Sequence, residues 1–399
     1  MSAHLRTLFV VTCIGSALGA CNRPQEQSRE RNHGQEPATG AQGKSGTATP
    51  TAPTATNAPD AVPSNDQKKD PMSKLDKDMK RVIDQLDAMG AKRIETLSPT
   101  DARKGPTPAQ AVTAVLQRDG KPITPEPVAK VEDKTIKTPA GSIAARVYTP
   151  VGGKAPHPLV VYFHGGGFVV GSLDSYDATP RALANGSEAV VLSADYRHAP
   201  ENKFPAAHED AHAVYTWALK NAASLGADPR NVAVAGESVG GNLAVNVAIM
   251  ARDKSEALPT HLLLVYPVAS SDMNSESYRE YADAKPLDRA AMTWFMDQYL
   301  SKSEQANDPR INLVSAKLNG LPPTTIINAE IDPLRSDGEQ LAKKLKEADV
   351  AVEQKTYDGV THEFFGMGAV VDDAKDAMKF ACSELKDAFD KRARQSSGL

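Results

Sequence analysis

From residue 131 onward the sequence alternates short β-branched runs with amphipathic helical stretches, and this pattern limits the possible folds more than any other feature. The predicted strands cover residues 131–137, 142–148, 159–163, 189–195, 232–235, 262–266, 324–328 and 352–357. The predicted helices cover residues 206–224, 240–252, 336–348 and 372–391. Such an alternation is typical of an α/β fold, in which helices cover both faces of a mostly parallel sheet. Because the first two strands are close enough to form a hairpin, we expect a mixed sheet of eight strands.

Two other apolar regions accompany this sheet. Apolar residues recur at three- and four-residue spacing from Leu75 to Met89, and again from Ala109 to Leu116. We expect these N-terminal helices, within 72–130, to precede a main domain at 131–395. Residues 275–302 interrupt the alternation with several aromatic side chains, and we interpret them as an insertion that packs over the edge of the sheet.

The first twenty residues have a different character. Arg6 precedes an apolar run from Thr7 to Leu18, which is too short to cross a bilayer and is typical of a secretory signal peptide. Leu18-Gly19-Ala20-Cys21 resembles a bacterial lipobox, in which the signal is cut before a cysteine that is then lipidated. We therefore predict a lipoprotein signal peptide at 1–20 and a lipid on Cys21. A plain signal peptide with a chance cysteine is the alternative.

The segment after the predicted signal is polar. Residues 22–71 contain no Leu, Ile, Phe, Tyr or Trp. A segment of this composition cannot bury enough apolar surface to offset the entropy lost on ordering. We therefore predict a disordered tether at 21–71 with a reach of roughly 40 Å. Together, the signal peptide and the tether predict a folded domain that a lipid anchors to a membrane of the bacterial cell envelope. The domain would lie on the periplasmic side or on the outer surface.

Charge and cysteine content exclude some classes of partner and cross-link. The formal net charge is −4, and no cluster of Lys and Arg alternates with aromatic residues, so a nucleic-acid partner is not expected. The chain has three cysteines, and processing at the signal would leave Cys382 alone. No intramolecular disulfide is therefore expected, and Cys382 is predicted to be buried. The sequence does not indicate the oligomeric state.

A candidate nucleophile lies where a strand pattern meets a helix pattern. Gly236-Glu237-Ser238-Val239-Gly240 follows the run Val232–Ala235 and opens the predicted helix at 240–252. A serine on such a sharp turn exposes its hydroxyl, and small residues two positions before and after it relieve crowding. The helix N-terminus also favours negative charge at this point. An ordinary glycine-rich turn is the alternative interpretation.

A second glycine-rich segment follows the strand pattern at 159–163. His164-Gly165-Gly166-Gly167-Phe168 allows the backbone to approach a substrate oxygen closely and to direct amides at it. A dinucleotide fingerprint or a phosphate-binding P-loop would need glycine and lysine spacings that are not present. A structural glycine turn remains the alternative. We expect His164 to shape this loop by hydrogen bonding.

The turn that carries Ser238 is called a nucleophile elbow here. A nucleophile elbow predicts a base and an orienting acid further along the chain, in the order serine, acid, histidine. Of the two histidines after Ser238, His261 follows too soon to leave room for an acid-bearing strand, so His362 is the candidate base. The acid should follow the strand pattern at 324–328. We favour Asp332, which lies at a strand-end turn before a proline. Glu330 is the main alternative, and Asp337 is more typical of the first turn of a helix.

Together these motifs resemble the hormone-sensitive lipase family of bacterial α/β-hydrolase esterases over residues 72–390. The other motifs that carry the resemblance are Asp195-Tyr196-Arg197-His198-Ala199-Pro200-Glu201, Phe204-Pro205-Ala206-Ala207 and Asp332-Pro333-Leu334. The resemblance implies an α/β-hydrolase fold with a helical cap formed by the N-terminal helices and the 275–302 insertion. It also implies a triad of Ser238, Asp332 and His362. The implied oxyanion donors are the amides of Gly166, Gly167 and Val239.

The sequence departs from the family pattern at three positions. Glu237 stands where the family usually has aspartate, and Val239, expected to narrow the acyl pocket, stands where it has a small residue. His198 replaces a usually apolar residue, and we expect it at the surface.

The function implied is that of a serine carboxylesterase, which cleaves short-chain or aryl esters through an acyl-enzyme. It needs no metal or cofactor, and its expected partner is a small-molecule ester. The alternatives are an amidase or lactonase on the same scaffold, and a catalytically silent ligand-binding relative.

Overall fold

The computed structural model describes residues 70–397, and within them eight strands form one sheet in the order β1-β2-β4-β3-β5-β6-β7-β8. The strands are β1 Lys130–Thr138, β2 Gly141–Thr149, β3 His157–Phe163, β4 Val190–Asp195, β5 Ala227–Glu237, β6 Leu262–Val265, β7 Thr324–Ile331 and β8 Val352–Thr361. Strand β2 is antiparallel to both of its neighbours, and the other pairs are parallel. The predicted mixed α/β sheet is confirmed, and β1 and β2 form the expected hairpin.

Helices connect the strands and cover the sheet. They are α1 Lys77–Ala88, α2 Pro99–Ala102, α3 Pro108–Arg118, α4 Ala178–Ser187, α5 Ala206–Asn221, α6 Val239–Asp253, α7 Glu276–Glu280, α8 Arg289–Tyr299, α9 Arg335–Glu347 and α10 Asp372–Ser397. Helix α4 has no counterpart among the predicted elements. Its sequence includes Pro180, Asn185 and Gly186, which have low helix propensity. Close packing against α10 overrides that propensity. Gly186 permits this packing, because a Cβ atom at this position would lie 2.4 Å from the Sγ atom of Cys382 on α10.

The core forms two layers, one on each face of the sheet. Alternate residues of β3 point to opposite faces: Val161 belongs to the layer under α5, α6 and α9, and Val160 to the layer under α1, α3, α4 and α10. Because both faces are covered, β3 is an almost continuous apolar run and not an alternating one. Cys382 is buried in the second layer, as its sequence context predicts.

The N-terminal segment belongs to the folded structure from its first described residues. Asp70 caps a short 3₁₀ helix at Pro71–Lys74, so the last two residues of the predicted tether are already folded. Helix α3 begins with a capping box between Thr107 and Gln110, which fixes its start next to the cavity described below.

The 275–302 insertion contains the helices α7 and α8, and buried aromatic residues anchor it. Tyr278, Tyr281, Phe295 and Tyr299 are all buried. The predicted signal peptide at 1–20, the lipid on Cys21 and the tether through residue 69 lie outside the described residues. Within 70–397, no helix combines the length and the apolar character required to cross a membrane.

Candidate active site

Ser238 lies at the turn between the last residue of β5 and the first residue of α6. Its backbone angles are φ 57° and ψ −119°, a conformation that non-glycine residues rarely adopt. Hydrogen bonds on both sides hold it there, from the Ser238 amide to the Val265 carbonyl (2.9 Å) and from the Val268 amide to the Ser238 carbonyl (3.1 Å). Strain of this kind persists only where the surroundings fix it, and it is typical of functional sites.

Close backbone approach explains the glycines beside Ser238. A Cβ atom at Gly240 would lie 2.0 Å from the carbonyl oxygen of Phe163, the last residue of β3. A Cβ atom at Gly236 would lie 2.2 Å from the carbonyl carbon of Gly240. Neither contact is tolerable between atoms that cannot move away. The two small residues of the elbow are therefore needed to bring α6 onto the end of the sheet.

The loop His164–Phe168 follows β3 and passes directly beside Ser238. A Cβ atom at Gly165 would lie only 3.3 Å from the Cβ atom of Ser238. Gly166 and Gly167 have φ values of 96° and 60°, in the left-handed region that glycine adopts without strain. Both glycines line the same cavity as Ser238. The structure thus brings the loop and the serine together as the sequence motifs predict.

His362 and Asp332 form a buried pair at the ends of adjacent strands. Asp332 follows β7, His362 follows β8, and the His362 Nδ1 atom lies 2.7 Å from the Asp332 Oδ2 atom. A carboxylate accepts only, so Nδ1–H donates and the lone pair of Nε2 is left free. The other Asp332 oxygen accepts from the Leu334 amide at 2.8 Å. Both His362 and Ser238 line the cavity.

Electrostatics at His362 combine two opposing effects. Burial by itself lowers the pKa of the imidazole, but the charge and hydrogen bond of Asp332 outweigh it. The charges of Glu363 and Glu237 act in the same direction as Asp332, so the pKa of His362 is raised above its ordinary value.

The two rival acids predicted from the sequence make other contacts. Glu330 Oε1 is 2.8 Å from the ammonium group of Lys74, and its Oε2 accepts from the Gly359 amide at 3.0 Å. Asp337 lies in the first turn of α9, where its Oδ2 accepts from the amides of Ala269 and Ser270, both at 2.9 Å. Of the three acids, Asp332 is therefore the one hydrogen-bonded to His362.

A network of buried tyrosines and acids supports the elbow, and no motif signals it in the sequence. Glu237 accepts hydrogen bonds from the hydroxyls of Tyr162 and Tyr266, both at 2.5 Å. The Tyr266 ring also packs against the His362 imidazole, with 4.4 Å between centroids. Burial raises the pKa of Glu237, the nearby Glu363 adds to this, and the two tyrosines oppose it. Glu237 thus connects Tyr162 of β3 with the Tyr266 ring that packs against His362.

The cavity over Ser238 has a volume of about 460 Å³ and is shared between three parts of the chain. The N-terminal segment contributes Ile94, Ala102, Arg103, Gly105, Pro106, Thr107, Pro108 and Ala109. The insertion contributes Pro286, Leu287, Ala291, Met292 and Phe295. The remaining lining comes from the glycine loop, the 170–179 segment, the elbow and the residues around His362. The walls above Ser238 are therefore mainly apolar.

Two expectations from the sequence are wrong. Val239 is fully buried in the core layer of α5 and α6 and is not among the cavity-lining residues, so its branched side chain does not narrow the pocket. It begins a helix whose first turn is packed into the core. His198 is not at the surface: its side chain is 18% exposed, and its ring meets the ring of Tyr196 edge-on at 5.3 Å.

Comparison with known proteins agrees with this architecture. A family model described as the alpha/beta hydrolase fold matches residues 160–366. A carboxylesterase of Mycobacterium tuberculosis is 38% identical over 268 residues, which cover 66% of this chain and 84% of the relative. An ethyl acetate hydrolase of Pseudomonas putida is 34% identical over 229 residues, which cover 57% and 72%.

Solved structures give the same result. The hyperthermophilic esterase of Pyrobaculum calidifontis superposes with a TM-score of 0.72 at 38% identity, over 79% of this chain and 98% of the esterase. The fold and the serine elbow define an α/β hydrolase. The chain belongs to the α/β-hydrolase family of esterases that its motifs resemble.

Proposed function

We propose that the chain cleaves short-chain carboxylic esters, including aryl esters, through an acyl-enzyme formed on Ser238. The chain is a carboxylic ester hydrolase of the serine type. One observation carries the choice of residues: His362, which is paired with the buried Asp332, lines the same cavity as Ser238. These three residues have the complementary roles of nucleophile, base and orienting acid.

Each step follows from the positions of these groups. The Ser238 hydroxyl attacks the ester carbonyl carbon while its proton passes to the free Nε2 of His362. Asp332 holds the imidazole in the required tautomer and stabilises the imidazolium. His362 then gives the proton to the departing alkoxide. Water, activated in the same way, releases the acid and restores Ser238.

The amides of Gly166, Gly167 and Val239 are proposed to stabilise the oxyanion. Their support is the position of the glycine loop against Ser238 and of Val239 at the first residue of α6. Such donors are fixed in position before the reaction. One donor lowers the activation free energy by about 3 kcal/mol.

Short acyl chains are favoured by the walls of the cavity. Leu287, Met292 and Phe295 face a volume of about 460 Å³, near the lower end of the usual range for ligand sites. The name of the Pseudomonas relative states that it hydrolyses ethyl acetate, an ester with a two-carbon acyl group.

The test is a substrate panel on the purified protein and two serine variants. Wild type should hydrolyse p-nitrophenyl acetate and p-nitrophenyl butyrate faster than p-nitrophenyl decanoate. It should also hydrolyse these esters faster than the p-nitroanilide of the same acid or a lactone. Ser238→Ala should reduce ester hydrolysis by about 10⁴-fold or more with an unchanged circular dichroism spectrum. Ser193→Ala is the matched control, because this buried hydroxyl makes no hydrogen bond within residues 70–397 and lies outside the cavity.

Each alternative has a distinct result in this panel. A ligand-binding relative would show no turnover in wild type, whereas an amidase or lactonase would turn over the anilide or lactone faster than the esters. Ester hydrolysis that survives in Ser238→Ala would refute the assignment of the nucleophile.

We also propose that a lipid on Cys21 anchors the enzyme in the bacterial cell envelope. The support is the lipobox-like sequence Leu18–Cys21 and the polar composition that follows it. Metabolic labelling with palmitate should mark the wild type and the Cys382→Ala variant, whose cysteine is buried, but not Cys21→Ala. Labelling that persists in Cys21→Ala would contradict the anchor.

A further inference from the structure

A second group of titratable side chains lies at the carboxyl edge of the sheet, outside the lining of the substrate cavity. His164 follows β3, and Asp195 ends the adjacent parallel strand β4. His198 follows three residues later in the loop after β4. One ligand atom from each of these residues lies within 4.8 Å of the other two, which makes this the one His/Cys/Asp/Glu group of metal-binding geometry within residues 70–397.

The hydrogen bonds of His164 determine where its lone pair points. The Nδ1 atom lies 2.8 Å from the Gly165 carbonyl oxygen, which can only accept, so Nδ1 carries the proton. The lone pair of the neutral ring is then on Nε2, which lies 3.4 Å from the Asp195 Oδ1 atom. In the neutral ring these two atoms are both electron-rich, and a hydrogen bond between them requires the doubly protonated ring. A metal-bound histidine characteristically donates its second nitrogen to a carbonyl in this way.

His198 completes the group. Its Nε2 atom lies 3.7 Å from the same Asp195 Oδ1 atom. This nitrogen is buried, and no hydrogen-bond partner satisfies it within the described part of the chain. A buried polar atom without a partner is costly and uncommon in a native fold. Three potential ligand atoms therefore converge, and the His198 Nε2 atom makes no hydrogen bond within residues 70–397.

We propose that His164, Asp195 and His198 form a binding site for one divalent transition-metal ion of the Zn²⁺ class. Imidazole and carboxylate are the ligands that such ions accept. Tetrahedral zinc with bonds near 2.05 Å separates its ligand atoms by about 3.4 Å, close to the two distances measured from Asp195. Asp195 is 34% exposed at the edge of the group, and a water molecule is proposed as the fourth ligand.

Nearby charges both oppose and favour a cation here. Arg103 donates to the carbonyls of Val169 and Ala199, and its positive charge disfavours metal uptake. Its bidentate ion pair with Glu201, with nitrogen–oxygen distances of 2.9 and 2.7 Å, offsets that charge. Asp195 supplies the negative charge within the site itself.

The ion would hold the glycine loop without taking part in the reaction. The His164 ring stacks against Tyr196, whose hydroxyl donates to the carbonyls of His164 and Gly165 at 3.0 and 3.1 Å. Metal bonds to His164 would tie this loop to the end of β4. We therefore expect zinc to raise the thermal stability of the protein.

The experiment measures zinc binding without substrate, so its result does not depend on the proposed esterase activity. Purified protein is stripped with a chelator and titrated with ZnCl₂, and bound zinc is measured by calorimetry and by metal analysis after gel filtration. His198→Leu removes one ligand, and Asp195→Asn is a second variant in case the first fails to fold. His212→Leu is the matched control, since it removes a histidine–carboxylate pair with Glu256 at 2.8 Å to which the described part of the chain adds no third ligand.

Wild type and His212→Leu should each bind one zinc ion per chain with a rise in melting temperature. Affinity should fall by more than about 100-fold in His198→Leu and Asp195→Asn. Absence of stoichiometric zinc in wild type would overturn the proposal. Uptake that persists unchanged in folded His198→Leu, for example at His362, would overturn it equally.

Discussion

The Nδ1 atom of His362 lies 2.7 Å from the Oδ2 atom of Asp332, and both side chains are buried. This contact places a negative charge beside a ring that burial alone would keep neutral, and the pKa of His362 is raised as a result. The base is active only when neutral. Ester hydrolysis by the wild type should therefore rise with pH through a midpoint above the ordinary histidine value of about 6.5.

Asp332→Asn should both slow the enzyme and shift this pH profile. Without the carboxylate, burial becomes the dominant effect on His362, so the acid limb of kcat/KM should move to lower pH. The rate should fall by about 10⁴-fold, because asparagine no longer fixes the imidazole tautomer. The measurement is the pH dependence of p-nitrophenyl butyrate hydrolysis between pH 5 and 9.

Glu330→Gln is the control for that experiment, because Glu330 is the other acid near the end of β7. Its contacts are Lys74 and the Gly359 amide, so the variant should keep the wild-type pH profile. If Glu330→Gln lost the activity that Asp332→Asn kept, the acid would be misassigned.

Removing one hydroxyl beside Glu237 should lower the unfolding free energy of the protein. Tyr266→Phe keeps the ring against His362 but leaves Glu237 with Tyr162 as its remaining tyrosine donor. Loss of a hydrogen bond that leaves a buried acceptor atom without its donor costs about 2 kcal/mol of unfolding free energy, which urea denaturation measures. Tyr357→Phe, which loses a hydrogen bond to the exposed Asp376, should change stability by less than about 0.5 kcal/mol. Equal losses in the two variants would count against the importance of the network.

Phe295 should limit the length of the acyl chain. A Cβ atom at Gly167 would lie 2.1 Å from the Phe295 ring, so this ring packs directly on the glycine loop. Phe295→Ala should raise kcat/KM for the octanoate relative to the butyrate by about tenfold. Trp294→Ala, on the same helix but outside the cavity lining, should leave this ratio unchanged. An unchanged ratio in Phe295→Ala would place the acyl pocket elsewhere.

The parts that the sequence predicts well depend on local patterns. Buried parallel strands such as β3 read as apolar runs, and the elbow at Ser238 combines a strand, small residues and a helix within a few positions. His362 follows from chain order, because few histidines come after the serine. The preference for Asp332 rests on a strand end followed by proline, which is also a local signal.

The remaining parts depend on contacts between distant segments. Tyr162, Glu237 and Tyr266 come from three different strands or strand ends, and no periodicity connects them. Helix α4 has weak propensity and is held by packing against α10. His198 looks like a surface residue in its motif, but the register of β3 and β4 brings it beside His164.

Asp337 should make stability depend on pH in the opposite sense to an ordinary carboxylate. Burial raises its pKa from 3.8 to about 7, although two backbone amides oppose this. Its Oδ1 atom has no hydrogen-bond partner among the described residues. Between about pH 4 and 7 the folded state therefore holds a proton that the unfolded state has released. The stability that Asp337 contributes is fully present below its unfolded pKa and is lost as the pH rises toward 7.

Asp337→Asn removes this titration while keeping an oxygen that can accept from the Ala269 and Ser270 amides. The unfolding free energy of wild type minus that of the variant should fall by about 3 kcal/mol between pH 4 and 7, because most of the effect of a shift of about three pKa units lies in this range. Urea denaturation of both proteins at four pH values measures this difference. Asp349→Asn, an exposed acid after α9, is the control and should show no such trend. A difference that is constant with pH, or that grows as the pH rises, would contradict a buried carboxyl that folds in its protonated form.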